Sequence, residues 1–148
     1  RGGMVRSAPS IRADYRAFQT LMTRWIDNDI YGHMNNAVHY QLFDTAVNGY
    51  LLEQGALDIK SGATVFLVVE TGCQYFSELA FPDVITAGIK VRKLGTSSVI
   101  YDVGLFRGVA DITSAQGHFV HVHVDREKRL PAPMCVETRT ILEQLIND

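Results

Sequence analysis

Residues 36–54 read NAVHYQLFDTAVNGYLLEQ and form the longest stretch of the sequence in which apolar residues recur at helical intervals. The residues that share one face of this helix are Phe43, Ala46, Val47, Tyr50 and Leu51. Asn35 or Asn36 provides a natural N-cap, and Gly55 provides a natural end. The stretch therefore predicts one long amphipathic helix.

Strand patterns lie on both sides of this helix. One strand is predicted before it, at Tyr15–Trp25, and a short terminal helix is predicted at 136–146. Four strands rich in β-branched and apolar residues are predicted between the two helices, at 64–76, 84–91, 97–106 and 116–125. Gly72 marks an expected bulge in the first of these four. Tight turns between successive strands impose antiparallel pairing.

The predicted elements specify a layered architecture. A sheet with one apolar face must cover that face, and only one helix is long enough to do so. We therefore predict an α+β hot-dog fold, a curved antiparallel sheet wrapped around one long central helix. Sheet edges and part of the helix surface stay uncovered, which predicts a homodimer or homotetramer. We expect residues 15–148 to form a single domain and residues 1–14 to be a disordered tail.

Composition excludes several classes of function. The 148 residues carry a net charge of −2 without blocks of like charge, so we expect no nucleic-acid partner and no membrane partner. No apolar run approaches the ~20 residues of a membrane span. The two cysteines predict plain thiols in a reducing compartment, which favours a cytoplasmic protein.

No cofactor or metal is predicted either. The sequence has no phosphate-binding Walker loop and no dinucleotide fingerprint. His118, His121 and His123 suggest a metal site at first sight, and His39 could join them, but no cysteine or acid completes a ligand set. We expect His121 and His123 to lie on the outer face of the last strand.

Residues 24–36, RWIDNDIYGHMNN, place acids, a glycine, a histidine and two asparagines between the first strand and the helix. A helix N-terminus presents unpaired N–H groups and the positive end of the helix dipole. These groups could hold a thioester carbonyl as charge develops on its oxygen, while a carboxylate attacks the carbonyl or deprotonates a water. The alternative is structural: Asp27 and Asp29 cap a turn, and Asn35 and Asn36 cap the helix.

The sequence resembles the acyl-CoA thioesterases related to 4-hydroxybenzoyl-CoA thioesterase over roughly residues 18–133. The motifs that carry this resemblance, in chain order, are Asp27-Asn28-Asp29, Gly32-His33-Met34-Asn35-Asn36, Tyr40, Phe43-Asp44, Val68-Val69-Glu70, Tyr75, Phe81-Pro82-Asp83, Lys93-Leu94-Gly95-Thr96-Ser97-Ser98, His121-Val122-His123-Val124-Asp125 and Pro131. The resemblance implies hydrolysis of an acyl-coenzyme A without a metal or redox cofactor.

The resemblance also implies roles for particular residues. Asp29 is the catalytic carboxylate, acting as nucleophile or as general base. A backbone amide of Asn35, Asn36 or Ala37 binds the oxyanion, and Asn36 matches by gap-free counting. His33 could orient Asp29 or a water.

The acyl group is expected near Tyr40 and Phe43, and the phosphate and pantetheine end of coenzyme A near Arg92, Lys93, Ser97 and Ser98. Residues 30–36 depart from the small and apolar pattern of the hydroxybenzoyl enzyme, so its substrate is not implied. Three alternatives are an acyl-acyl-carrier-protein thioesterase, a non-catalytic protein that binds acyl-CoA and a hot-dog hydratase. The Asp29 and His33 spacing fits the hydratase poorly.

Overall fold

A computed structural model of the protein describes residues 7–58 and 60–146. Its strands and α-helices are β1 (Ala17–Met22), α1 (Val38–Glu53), β2 (Thr64–Tyr75), β3 (Val84–Leu94), β4 (Ser98–Arg107), β5 (Ala115–Asp125) and α2 (Val136–Glu143). The five strands form one sheet in the order β1-β3-β4-β5-β2, and every neighbouring pair is antiparallel. The predicted α+β architecture, an antiparallel sheet packed on one long helix, is confirmed.

Helix α1 buries one face against the sheet. Its buried residues are His39, Leu42, Phe43, Ala46, Val47, Tyr50 and Leu51, which include all five predicted from the spacing. The sheet contributes alternate residues of its central strands, such as Ile89 of β3 and Val103 of β4, to the same core. This period of two in the strands, facing a period of 3.6 in the helix, makes one continuous apolar layer.

The two ends of α1 differ in how they match the prediction. At the C-terminus, the Gly55 N–H donates to the Leu52 carbonyl and the Ala56 N–H to the Leu51 carbonyl. Gly55 has a φ of +77°, so this is a Schellman end, and the predicted stop is confirmed. The helix begins at Val38 rather than Asn36, and its N-cap residue, Ala37, makes no side-chain capping hydrogen bond.

The bulge in β2 lies at a different residue from the one predicted. The register with β5 shifts between Val68 and Glu70, so the extra residue is Val69 and the assignment to Gly72 was wrong. Gly72 serves another purpose, because the His118 ring lies directly where a Cβ at this position would stand. A bulge depends on how two strands pair, which the glycine alone does not report.

Residues 7–14 were expected to be a disordered tail, and the structure corrects this. The Ser10 hydroxyl donates to the Gln116 side chain, and Tyr15 is buried on the outer face of the sheet. A Cβ at Gly88 would lie 2.7 Å from the Tyr15 ring, and one at Gly104 would lie 2.5 Å from its hydroxyl. Gly88 and Gly104 are paired across β3 and β4, so they form a shallow seat for the ring. Residues 1–6 lie outside the described part of the chain.

The histidines of β5 also differ from expectation. His121 and His123 face the helix rather than the outer surface, and they are 1% and 7% exposed. Aromatic rings of the neighbouring strands pack against His121: Phe66 of β2 stacks on it with ring centroids 5.1 Å apart, and Tyr101 of β4 meets it edge-on. The His121 Nδ1 and the Tyr101 hydroxyl are buried without a hydrogen-bond partner among the described residues.

Neither α1 nor α2, within residues 7–58 and 60–146, has the length and apolarity needed to cross a membrane. Cys73 and Cys135 are free thiols. Burial raises the pKa of the Cys73 thiol to about 11, so it is a poor nucleophile at neutral pH.

The burial of His121 predicts acid sensitivity. Burial lowers its pKa to about 4 from the ordinary histidine value of 6.5. As pH falls from 6.5 towards 4, His121 becomes protonated in the unfolded chain but stays neutral in the folded chain. The free energy of unfolding therefore decreases across that pH range. We expect the free energy of unfolding to fall by about 2 kcal/mol more in the wild type than in His121→Leu between about pH 7.5 and 5.

Urea unfolding at a fixed protein concentration measures this difference. Val103→Ala is the matched control, since Val103 is buried in the same core on β4 and its loss removes no titrating group, so this variant should keep the wild-type pH dependence. His39, whose pKa is also lowered by burial, titrates in all these proteins and cancels in the comparison. Equal slopes in the wild type and His121→Leu would refute the assignment.

Candidate active site

A short 3-10 turn leads from β1 into the loop before α1. The Asp27 side chain at its end is 2% exposed. It accepts hydrogen bonds from the Arg24 backbone N–H at 2.8 Å and from the Arg24 guanidinium at 2.8 Å. The Asp27 carbonyl accepts the Asn35 N–H at 2.8 Å. Asp27 therefore holds the start and the end of the loop together, and its carboxylate is fully engaged.

Asp29 lies at the turn of this loop. Its Oδ1 accepts the backbone N–H of Tyr31 at 2.8 Å and that of His33 at 3.3 Å. Its own N–H donates to the His33 carbonyl at 2.7 Å. Gly32, with a φ of +80°, lets the chain reverse between them. Only one carboxylate oxygen is used in these bonds, and Asp29 is exposed, so its carboxylate is available to a ligand.

A second loop, between β2 and β3, packs against the first. The Met34 N–H donates to the Leu79 carbonyl at 2.7 Å, and the Phe81 N–H donates to the Asn28 side chain at 2.9 Å. Residues of this second loop therefore stand opposite Asp29. Its Glu78 contacts the His33 ring, with 2.7 Å between the Glu78 Oε2 and the His33 Nε2.

The two loops and the start of α1 enclose a cleft of about 310 Å³. Its polar lining includes Asp29, His33, Asn36, His39, Tyr75 and Glu78. The predicted carboxylate and the predicted oxyanion residue therefore share one cleft. A carboxylate, a main-chain amide and a histidine around a single space form a site that can polarise a carbonyl and deliver a nucleophile to it.

Asn36 has a distinct hydrogen-bonding pattern in this cleft. Its carbonyl accepts the Tyr75 hydroxyl at 2.7 Å and the His39 Nδ1–H at 3.2 Å. Its own N–H has no acceptor among the described residues. Burial lowers the pKa of His39 and raises that of Tyr75, so both side chains are neutral at physiological pH.

The residues predicted to hold the acyl group lie on α1 with unequal access. Tyr40 is half-buried, and its ring meets that of Phe43 edge-on with 6.2 Å between centroids. Phe43 is 0% exposed and packs in the core. In this conformation Phe43 offers no surface to a ligand, so of the two only Tyr40 is reachable.

The residues predicted to bind the coenzyme A end lie far from the cleft within one chain. Lys93, Ser97 and Ser98 flank the turn between β3 and β4, whereas the cleft adjoins the opposite end of the sheet. The 11 residues of β3 span about 35 Å. Arg92 forms a two-pronged ion pair with Asp102, whose shorter distance is 2.5 Å, so its charge is already compensated.

The sequence analysis assigned no catalytic or positioning role to three side chains that make polar contacts in the cleft, those of His39, Tyr75 and Glu78. His39 stands one helical turn after Asn36, so its contact with that carbonyl was a readable signal. Tyr75 ends β2 and Glu78 lies in the loop that follows it, some 40 residues away in sequence, and only tertiary packing brings them to the cleft. Within residues 7–58 and 60–146, no group of three or more His, Cys, Asp or Glu side chains is arranged to hold a metal ion.

Comparison with known proteins identifies relatives of this chain. Residues 23–142 match the family described as the thioesterase-like superfamily. No sequence among the curated proteins matches. The PA5185 protein of Pseudomonas aeruginosa strain PAO1 is a solved structure similar to this chain, with 46% identity and a TM-score of 0.92. The match covers 95% of this chain and 98% of that one.

Two further structures are similar in fold. The 1,4-dihydroxy-2-naphthoyl-CoA thioesterase from Synechocystis shares 16% identity, with a TM-score of 0.77 and coverage of 86% of this chain and 96% of that one. The gentisyl-coenzyme A thioesterase BH1999 shares 22% identity, with a TM-score of 0.75 and coverage of 85% and 99%. These likenesses concern the fold alone, and the hot-dog fold predicted from the sequence is confirmed.

The left-handed turn at Gly32 predicts a defined stability cost. A Cβ added at Gly32 meets no atom within 4 Å, so Gly32→Ala should lose only about 1 kcal/mol of unfolding free energy, through backbone strain. Gly108→Ala is the matched control, because Gly108 also has positive φ and open space but lies away from the cleft. Urea unfolding should show similar losses for both. An unchanged stability in Gly32→Ala would contradict the turn that presents Asp29.

Proposed function

This chain belongs to the thioesterase-like superfamily, and we propose that it hydrolyses an acyl-coenzyme A to the free acid and coenzyme A, with Asp29 as the catalytic carboxylate. One observation carries the proposal: Asp29 lines the same cleft as Asn36, whose N–H has no acceptor within the part of the chain that the structure describes. A thioester carbonyl placed between them meets a nucleophile or base on one side and a hydrogen-bond donor on the other.

The reaction assigns a task to each group. The Asp29 carboxylate either attacks the carbonyl carbon, giving an anhydride that water then opens, or removes a proton from the water that attacks. The carbonyl oxygen becomes negative and accepts the Asn36 N–H. When the carbon–sulfur bond breaks, the coenzyme A thiolate leaves and takes up a proton. Both routes use the same geometry, so they remain alternatives.

His33 supports Asp29 chiefly through its main chain. Its N–H donates to the Asp29 carboxylate and its carbonyl accepts the Asp29 N–H. Its imidazole is engaged by Glu78 at the rim of the cleft. We therefore propose that His33 positions the catalytic carboxylate, and that Glu78 fixes the His33 ring.

In one chain the cleft and the turn between β3 and β4 lie at opposite ends of the sheet, but a second copy of the chain would bring such a turn close to the cleft. β2 is an edge strand of 12 residues that pairs with β5 on one side, and Val68 and Val69 on it are 45% and 58% exposed. Antiparallel pairing of two β2 edges would place the cleft end of one sheet beside the far end of the other. That far end carries the turn flanked by Lys93, Ser97 and Ser98, where Lys93 supplies the exposed cation for a phosphate. We propose a homo-oligomer built on this pairing, in the cytoplasm.

The catalytic proposal is tested by thiol release from a panel of acyl-coenzyme A substrates, including aliphatic and aromatic acyl groups. We expect Asp29→Asn to lower kcat about 1,000-fold, because the amide can neither attack nor accept a proton. Asp111→Asn, which changes an exposed carboxylate in the loop between β4 and β5, is the matched control and should retain wild-type turnover.

Three outcomes discriminate the alternatives. Undiminished thiol release by Asp29→Asn would remove Asp29 from the mechanism. Turnover of acyl-acyl-carrier protein but not acyl-coenzyme A would favour the carrier-protein thioesterase. Binding of acyl-coenzyme A without turnover by the wild type would favour a non-catalytic binding protein.

The oligomer predicts that charge on the β2 edge separates the subunits. Val68→Lys places an ammonium group where two edges would meet, so we expect the sedimenting mass to fall from a dimer or tetramer to a monomer, with reduced thiol release. Val109→Lys is the control, because Val109 is 97% exposed in the loop after β4. A wild type that sediments as a monomer at micromolar concentration would refute this assembly.

A further inference from the structure

The peptide group that joins Asn36 to Ala37 is held from both sides. Its carbonyl oxygen accepts the Tyr75 hydroxyl at 2.7 Å and the His39 Nδ1–H at 3.2 Å. Its N–H, which belongs to Ala37, donates to the Asn35 side-chain oxygen at 2.9 Å. A peptide bond is planar, so three hydrogen bonds to one peptide leave it little freedom to rotate.

The contact with a carbonyl fixes the tautomer of His39. A carbonyl oxygen only accepts, so the hydrogen of the neutral imidazole must be on Nδ1 and Nε2 must carry the lone pair. His39 is 3% exposed, and burial lowers its pKa, which favours this neutral form. The His39 and Tyr75 rings also meet edge-on, with centroids 4.7 Å apart at 84°. The two donors to the Asn36 carbonyl therefore brace each other.

The preceding peptide group, which joins Asn35 to Asn36, carries the Asn36 N–H. The Asn36 N–H finds no acceptor within the described ranges of the chain, and Asn36 lines the cleft together with Asp29. Because the peptide that follows is immobilised, and the Asn35 N–H that precedes is bound to the Asp27 carbonyl, the direction of the Asn36 N–H is set from both ends.

We propose that His39 and Tyr75 are positioning residues that grip the Asn36 carbonyl and thereby hold the Asn36 N–H aimed at the thioester oxygen. This inference rests on the proposed function, since an oxyanion arises there only if the chain hydrolyses a thioester. A donor that is already oriented stabilises developing charge without reorganising at the moment of reaction. Neither side chain touches the substrate in this role.

This positioning role, which we call the grip on the Asn36 carbonyl, predicts a loss of kcat without a loss of substrate binding. In Tyr75→Phe and in His39→Leu, one of the two donors to the carbonyl is removed, and we expect kcat to fall about tenfold in each, with KM within about twofold. The double variant should approach the roughly 100-fold loss that follows removal of one oxyanion donor. His39→Asn keeps a side-chain N–H near the position of Nδ1, so it should recover kcat to within about threefold of the wild type.

The control variant is Tyr50→Phe, which removes a tyrosine hydroxyl at the other end of α1 and should leave kcat unchanged. Urea unfolding of every variant separates a loss of folded protein from a loss of turnover. If Tyr75→Phe folds poorly, the comparison of His39→Leu with His39→Asn still decides, because both alter the same position. Normal kcat in His39→Leu and Tyr75→Phe, beside an inactive Asp29→Asn, would overturn the grip and leave the proposed function standing.

A spectroscopic readout tests the grip independently of turnover. Nitrogen-15 shifts of the His39 ring in the wild type should report hydrogen on Nδ1, and the same measurement should be sensitive to Tyr75→Phe. Hydrogen on Nε2 in the wild type would overturn the proposal. A wild type that shows the Nδ1–H tautomer but hydrolyses no thioester would overturn both the proposed function and the catalytic use of the grip, while leaving the hydrogen bonds themselves established.

Discussion

The apolar face of α1 must be buried against the sheet, and this requirement determines where the other parts of the molecule lie. Once residues such as Phe43 and Leu51 are buried against β3, β4 and β5, the N-terminus of the helix must emerge at one end of the sheet. The loop that carries Asp29 is then confined between that helix end and the turn region after β2. The site is therefore a by-product of burying hydrophobic surface: the core places the helix, and the helix end sets where a polar ligand can be received.

Much of the fold was readable from the sequence because its signals are local and periodic. The helix face and the strands follow from spacings of 3.6 and of two residues, and the stop at Gly55 follows from the residue type itself. The errors have a common physical origin in non-local pairing. The bulge at Val69, the inward orientation of His121 and the packing of residues 7–14 on the sheet each depend on a partner strand, and no spacing within one segment specifies it.

The residues of the candidate site likewise fall into those that local sequence order could predict and those that only tertiary packing brings in. Asp29, His33 and Asn36 sit in one continuous segment, so their proximity followed from sequence order. Tyr75 and Glu78 come from a segment that meets the first only through contacts such as the Met34 N–H to the Leu79 carbonyl. The family motif brought Tyr75 to notice without a role, and Glu78 stood in no motif. Tyr75 contacts a main-chain carbonyl of the distant segment, and the sequence does not mark such a contact, because any donor of suitable reach would serve.

The seat that Gly88 and Gly104 make for Tyr15 has a consequence for how this architecture diverges. A side chain at either glycine would occupy the space of the aromatic ring, so neither position can change first while the tyrosine is kept. The three positions are thus bound into one evolutionary unit, although they lie up to 89 residues apart in the numbering (104 − 15). Homologues with a larger residue at either glycine position should carry a small one in place of the tyrosine, or lead the chain into β1 along another course. Such covariation would mark the lineage that shares this N-terminal packing.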